Sequence, residues 1–217
     1  MRRKNKRLLT STYHITFSVE RRFNTLVRKV SSEIHKKYNT KFVVDGKEYN
    51  PHLTMYLFAA PIANQKKIIS TLIKIAPEFK LSVLKVKKLF LSYDGWLMIY
   101  LDNKVKLGKY HETIIDRINP LREGVQRKKY RGVNKILQLP NDERLSLMKY
   151  GDRHAIKYYY PHLSLTKFDN LEDAEEALIN YRKYFQKNTL KIVSLDLIRD
   201  IKDGSDGIGR LLYRYKY

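Results

Sequence analysis

Cysteine is absent from this 217-residue chain. Its absence excludes a disulfide framework, a thiol nucleophile and a cysteine-based zinc site. No run of residues approaches the roughly 18 uninterrupted apolar residues that a membrane-spanning helix requires. The basic N-terminus is not followed by the apolar segment of a signal peptide, because Thr10, Ser11 and Thr12 interrupt it at once. We therefore expect no membrane partner and a cytoplasmic location, with the nucleus as the alternative.

Motifs that hold metals or phosphates are also lacking. The sequence contains no HExxH zinc motif, no paired His–carboxylate spacing and no phosphate-cradling glycine loop. We therefore expect no metal site and no cofactor, and nothing in the chain indicates an obligate protein partner.

Acidic residues are scarce relative to basic ones. The chain has 22 Asp and Glu against 44 Lys and Arg, a formal net charge of +22. A chain this basic attracts polyanions, of which RNA and DNA are the usual ones. A coding sequence rich in A and T is the alternative source of so many lysines. The charge favours a nucleotide or RNA ligand and indicates no particular chemistry.

Hydrophobic patterning predicts a repeated order of elements. Strand, helix, strand, helix, strand runs from residue 13 to 91 and again from 96 to 199. This order predicts an α/β (α+β) fold with two pseudo-symmetric lobes, each with an antiparallel sheet and flanking helices. The equivalent strands of the two lobes would then face each other across a cleft.

The predicted boundaries follow from the same patterns. We expect a basic, disordered tail at 1–12, a single bilobal domain at 13–217, and a basic insertion at 122–153 within it. The chain should close with a hairpin whose loop contains Gly204, Gly207 and Gly209.

Two similar tetrapeptides occupy the same position in the two halves, on the strand after the first helix. Each follows a proline, and they read His52-Leu53-Thr54-Met55 and His162-Leu163-Ser164-Leu165. Because side chains alternate along a strand, the histidine and the hydroxyl of each segment share one face, where both can touch one phosphate. One imidazole can remove a proton from the attacking hydroxyl or water while the other protonates the leaving oxygen. The hydroxyls can donate to the non-bridging oxygens.

These segments, in their repeated strand–helix setting, resemble the 2H phosphoesterase superfamily, the group that includes 2′-5′ RNA ligase-like proteins. The similarity covers about residues 13–217. It implies a bilobal fold with the active site between the lobes, His52 and His162 as acid and base, and Thr54 and Ser164 as phosphate ligands. Several members carry a cation two residues after the second motif. Lys167 stands there, without the bidentate fork of the arginine often seen.

Further substrate contacts are predicted from strand alternation. Tyr56 falls on the face of His52 and Thr54, where it could stack a base, and Thr166 is its analogue on the second strand. Tyr160 shares the His162 face, with edge packing as its alternative role.

Other residues have less specific signals. His14 lies in a third H-x-T-x tetrapeptide outside the repeat, and we expect a structural role, with cleft lining as the alternative. His35 and His111 are predicted to lie on the surface. The basic stretch 122–153 could track a phosphate backbone or form a mobile loop.

The sequence thus predicts a metal-independent phosphodiesterase acting on RNA ends or small oligonucleotides. Candidate bonds are a 2′,3′-cyclic phosphate, a 2′-5′ linkage and a cyclic oligonucleotide. Internal attack, hydrolysis and reverse ligation remain open, as does the choice of which histidine is the base. The alternative is an RNA-binding or nucleotide-sensing module without turnover.

Overall fold

The computed structural model describes residues 9–47, 49–80, 83–102, 104–201 and 209–217. These residues form eight strands and six α-helices, with short 3₁₀ segments between them. In chain order they are β1 (Thr10–Val19), α1 (Arg21–Tyr38), β2 (His52–Pro61), α2 (Gln65–Ile75), β3 (Leu84–Leu91), β4 (Trp96–Leu101), α3 (Lys104–Ile118), α4 (Val133–Leu137), α5 (Asn141–Tyr150), β5 (His162–Lys167), α6 (Leu171–Tyr181), β6 (Thr189–Leu190), β7 (Ile192–Asp200) and β8 (Gly209–Lys216).

The strands form two four-stranded sheets. The first has the order β2-β1-β7-β8 and the second the order β5-β4-β3-β6. Every neighbouring pair is antiparallel. The predicted α+β architecture with one antiparallel sheet per lobe is confirmed.

The two halves of the sequence are not the two lobes. β3 belongs to the first half of the chain yet pairs with β4 in the second sheet. β7 belongs to the second half yet pairs with β1 in the first sheet. The halves have therefore exchanged their third strands, which joins the two halves of the sequence through backbone hydrogen bonds within each sheet.

The first helices are exchanged in the same way. α1 packs on β5 and α3 packs on β2, so each motif strand is covered by a helix from the other half. The packed stripe of α1 has the helical spacing expected from sequence: Phe23, Val27, Val30 and Ile34 are all buried. α1 ends at Tyr38, where Asn39 takes the left-handed conformation that commonly terminates helices.

The β3–β4 hairpin turn requires glycine at one position. Gly95 has φ +85°, and a Cβ there would lie 2.5 Å from the carbonyl oxygen of Phe168. Asp94 and Gly95 lie in this turn, and the carbonyl of Gly95 accepts from the amide of Phe168, which directly follows β5.

The predicted tail boundary needs correction, and part of the predicted closing hairpin lies outside the described residues. The tail was expected to extend to residue 12, but Thr10 to Thr12 belong to β1 and pair with β2. Residues 1–8 lie outside the described residues. The closing hairpin is present as the β7–β8 pair. Gly209, expected in its loop, is the first residue of β8, whereas Gly204 and Gly207 lie outside the described residues.

The stretch 122–153 is folded, which contradicts the mobile-loop interpretation. It contains α4 and α5, and two of its arginines point inward. Arg122 is 1% exposed and donates to Asn119 and to the carbonyl of Val125. Arg127 is also buried, 3.7 Å from Asp152. Part of the basic charge in this stretch therefore anchors the stretch itself.

Candidate active site

The two motif strands are built alike. β2 and β5 are edge strands of their sheets, and they contact each other. Their first six residues have the same sequence of burial: the histidine and the hydroxyl residue are half-buried, and the intervening leucine is fully buried. The leucines anchor the strands, and the polar side chains share the opposite face, called here the front face of each sheet.

A β-bulge interrupts both strands at the same point. In the first sheet Thr16 pairs with Thr54 and Ile15 with Tyr56, which leaves Met55 unpaired. In the second sheet Met98 pairs with Ser164 and Leu97 with Thr166, which leaves Leu165 unpaired. A bulge reverses the side-chain alternation that follows it.

The bulges correct two predicted substrate contacts. Tyr56 does not share the front face with His52; it is fully buried, stacks on Phe58 at 4.6 Å and donates to the carbonyl oxygen of Tyr150. Thr166 is likewise fully buried and donates to the carbonyl oxygen of Phe42. Strict alternation placed both residues on the wrong face, because it assumed a regular strand.

Each bulge carbonyl is bound by a buried side chain from the exchanged helix. His111 of α3 donates through Nδ1 to the carbonyl of Met55 at 2.5 Å and accepts from the amide of Ile156 at 2.9 Å. Ser31 of α1 donates to the carbonyl of Leu165 and accepts from the amide of Val44, both at 2.8 Å.

The prediction that His111 lies on the surface is therefore wrong, since it is 2% exposed. Sequence reasoning also missed Ser31. No motif marks either residue, because their partners are backbone carbonyls, which leave no pattern in the sequence.

Both motif histidines are held by the carbonyl two residues before them. His52 Nδ1 lies 2.8 Å from the oxygen of Asn50, and His162 Nδ1 lies 2.7 Å from the oxygen of Tyr160. A carbonyl only accepts, so Nδ1 carries the hydrogen in each ring. Each Nε2 is then left as the basic nitrogen of the neutral imidazole.

The surroundings disfavour charge on both rings. Burial lowers the pKa of His52 to about 4, and the nearby imidazoles of His14 and His162 lower it further. The hydrogen bond to Asn50 acts in the opposite direction. Burial also lowers the pKa of His162 below its usual value, opposed by the hydrogen bond to Tyr160. Both shifts favour the neutral form of the imidazole.

The first sheet surrounds His52 with acidic and hydroxyl groups. Ser18 pairs with His52 across β1 and β2 and donates to Asp196 at 2.6 Å. Arg214 donates two hydrogen bonds of 2.7 Å to the same carboxylate. Because these groups lie on neighbouring strands, they line the front face beside His52.

His14 stands on the same face, two residues before Thr16 on β1. It is 7% exposed, and its Nε2 lies 2.8 Å from Oδ1 of the buried Asp200. This pairing agrees with a structural role and equally places the ring along the predicted cleft, so both interpretations of His14 remain open.

The second sheet surrounds His162 with aromatic rings. Tyr100 pairs with His162 across β4 and β5, and their ring centroids are 6.1 Å apart. Tyr160 is about half exposed and stacks on Tyr100 at 5.8 Å. After the bulge Lys167 returns to the front face, where its Nζ lies 3.6 Å from Asp94 and 5.2 Å from the ring centre of Trp96.

Metal ligands are not grouped in the described part of the chain. No cluster of three or more His, Cys, Asp or Glu side chains able to hold a metal ion occurs there. Among the described helices, none is long and apolar enough to cross a membrane.

No family model and no curated protein matches this sequence. Its fold is nevertheless similar to solved structures. TT0787 of Thermus thermophilus superposes with a TM-score of 0.61 at 10% identity, over 94% of this chain and 97% of that one. Escherichia coli LigT complexed with phosphate gives a TM-score of 0.51 at 10% identity, over 95% and 97%. LigT complexed with NADP+ gives the same TM-score and identity, over 95% and 96%.

These likenesses identify the fold. The chain shares the fold of TT0787 and LigT over nearly its whole length, and the bilobal α+β fold expected from the sequence is confirmed. At such low identity the likeness does not extend to individual residues, and the roles of the motif side chains rest on their geometry in this chain.

Proposed function

We propose that this protein is a metal-independent phosphodiesterase that cleaves a phosphodiester bond of a nucleotide or RNA substrate. One observation carries the proposal: two imidazoles stand on matching, touching edge strands, each with Nδ1–H bound to a carbonyl and Nε2 left for chemistry. A binding site for phosphate alone would be better served by permanently charged arginine or lysine.

The proposed reaction uses one histidine on each side of the phosphorus. The Nε2 of one ring takes the proton of the attacking ribose 2′-hydroxyl or water as the new P–O bond forms. The Nε2–H of the other, protonated ring gives its proton to the leaving oxygen as the old bond breaks. Each transfer contributes roughly 10²- to 10⁴-fold. The two rings then exchange protonation states, and a hydrolytic second step through a cyclic phosphate would restore them.

Thr54 and Ser164 supply the remaining polar groups. Each is half-buried and follows its histidine by two residues on the front face. Their hydroxyls are placed to donate to the non-bridging oxygens, on which negative charge rests in the transition state. The anionic phosphate also raises the pKa of the nearby imidazoles, which opposes the effect of burial and allows one ring to be protonated.

Candidate substrates are RNA ends with a 2′,3′-cyclic phosphate, 2′-5′-linked oligonucleotides and cyclic oligonucleotides. The net charge of +22 favours ligands with several phosphates. Lys167 and Tyr160, both on or beside the front face of the second sheet, are the side chains that we propose contact the substrate. Tyr56 and Thr166 are excluded from this set by their burial.

The decisive experiment is a substrate panel in the presence of EDTA. It would compare 2′,3′-cyclic nucleotides, 2′-5′ and 3′-5′ oligoadenylates and cyclic di- and trinucleotides, with the product ends identified. We expect turnover of at least one class, lowered by about 10²- to 10⁴-fold in His52→Ala and in His162→Ala. Binding without turnover across the panel would instead support the RNA-binding or sensing module, and turnover that survives both substitutions would refute two-histidine catalysis.

A further inference from the structure

Three aromatic rings form a row on the front face of the second sheet. Phe90 of β3 stacks on Tyr100 of β4 with centroids 4.6 Å apart and an interplanar angle of 26°. Tyr100 stacks in turn on Tyr160 at 5.8 Å and 19°. Because Tyr100 is also the strand partner of His162, this row, called here the aromatic platform, borders the candidate catalytic ring.

A lysine stands over each end of the platform. The Nζ of Lys88 lies 5.1 Å from the ring centre of Phe90, and that of Lys104 lies 3.9 Å from the ring centre of Tyr160. Tyr160 remains 51% exposed, so much of its surface is available to a ligand. Rings flanked by flexible cations match a ligand that carries both flat bases and phosphates.

The fold itself does not require these rings. In the first sheet the residue two before the motif histidine is Asn50, which supplies the same carbonyl contact as Tyr160 without a ring. The strand partner of His52 is Ser18, where the second sheet has Tyr100. The repeated frame is therefore complete without aromatic side chains, and the platform is an addition specific to the His162 side.

We propose that the aromatic platform binds a nucleobase adjacent to the scissile phosphate, so that the preferred substrate is a single-stranded oligonucleotide rather than a mononucleotide. This inference rests on the proposed phosphodiesterase function. The base stacks on Tyr160 in place of the Lys104 ammonium, which then pairs with a flanking phosphate. Lys88 offers a second cation at the far end, so successive nucleotides can follow the row.

Tyr160 allows a clean test, since its carbonyl orients His162 while its ring belongs to the platform. Tyr160→Ala removes the ring and keeps the carbonyl. In a His52→Ala background, which slows turnover, the protein would be titrated into short RNAs with 2-aminopurine beside the cleavable linkage. Stacking quenches the fluorescence of this base.

We expect quenching with the parent and with Tyr160→Phe. Tyr160→Ala should lose the quenching and bind roughly 10- to 100-fold more weakly, the range for one base–aromatic stack. Tyr93→Ala removes an 84% exposed tyrosine from the β3–β4 turn and should match the parent.

Equal quenching and affinity for the parent and Tyr160→Ala would overturn the platform. Circular dichroism of Tyr160→Ala confirms folding, which is expected because the side chain is half exposed. The two proposals fail separately. Quenching that depends on Tyr160 in a protein without turnover keeps the platform and rejects the phosphodiesterase. Turnover that does not depend on Tyr160 keeps the phosphodiesterase and rejects the platform.

Discussion

The two sheets agree closely at their motif strands and differ in the side chains of the strands beside them. Both strands have a histidine held by the carbonyl two residues earlier, a hydroxyl residue, and a bulge one residue later. Both bulge carbonyls receive a hydrogen bond from a buried side chain of the exchanged helix. Agreement at this level of detail indicates that the frame around each imidazole is the repeated unit.

The neighbouring strands carry opposite chemistry. Beside His52 the first sheet has Ser18 and Asp196, tied to Arg214. Beside His162 the second sheet has Tyr100 and the rest of the aromatic platform. We infer that the repeated frame carries the proton transfers, which need equal geometry on both sides. The neighbours that are not repeated select the substrate, whose two sides differ.

The largest expected effect tests the equality of the two frames. His52→Ala and His162→Ala should each lower kcat by about 10²- to 10⁴-fold, because each removes one proton transfer. The double variant should lose little more than either single one, since the two groups act as a unit. Steady-state kinetics on the best substrate of the panel measures this. His35→Ala in α1 is the matched control. A decrease of kcat in only one of the two motif histidine variants would contradict the equality of the two sites.

A smaller effect is expected at the hydroxyls. Thr54→Val and Ser164→Ala should each lower kcat by roughly 10- to 100-fold with little change in KM, because the lost hydrogen bond strengthens as charge develops on the phosphate. Thr54→Ser should retain most activity. An increase of KM alone would mean that the hydroxyls bind the substrate without stabilising the transition state.

His111 and Ser31, the buried side chains that bind the two bulge carbonyls, contribute to stability more than to catalysis. Their substitutions should therefore differ mainly in the free energy of unfolding. His111→Ala leaves the Met55 carbonyl and the Ile156 amide unpaired and removes a ring stacked 4.0 Å from Tyr159. We expect a loss of about 2–4 kcal/mol in the free energy of unfolding.

Ser31→Ala removes the two equivalent hydrogen bonds and no ring, so about 1–2 kcal/mol is expected. Urea denaturation of both variants measures the difference. Unchanged stability in His111→Ala would show that this contact is dispensable.

The smallest effect concerns pH. Burial lowers the pKa of both motif histidines, to about 4 for His52, so kcat/KM should be largest below pH 6.5. It should fall toward more acid pH as the base is protonated, and toward alkaline pH as the acid loses its proton. His14 also lowers the pKa of His52, so the limb of the pH profile that reports His52 should move to higher pH in His14→Gln. An optimum above pH 7 would contradict these shifts in the free enzyme.

Much of the site was predictable from sequence because it depends on local pattern. The strand position of His52 and His162, the shared face of each hydroxyl, and the stripe of α1 follow from periods of two and 3.6 residues. The side-chain cap at Asn170 of α6 was also predictable, and its Oδ1 accepts from the amide of Glu172. Each of these depends on residues close together in the chain.

The errors have two origins. Tyr56 and Thr166 were assigned to the front face by counting along a strand, and a single bulge residue reverses that count. The burial of Arg122 and His111 was missed because both satisfy backbone groups far away in sequence or in irregular segments.

The sequence by itself determined the paired histidine segments, the repeat and the class of fold, because hydrophobic period and motif spacing are properties of the chain read in order. The tertiary structure alone decided which halves share a sheet, where the bulges fall, and that aromatic rings gather beside only one histidine. Those features come from pairings between distant strands, such as β1 with β7 and β3 with β4. Side chains far apart along the chain become neighbours only once these strands hydrogen-bond.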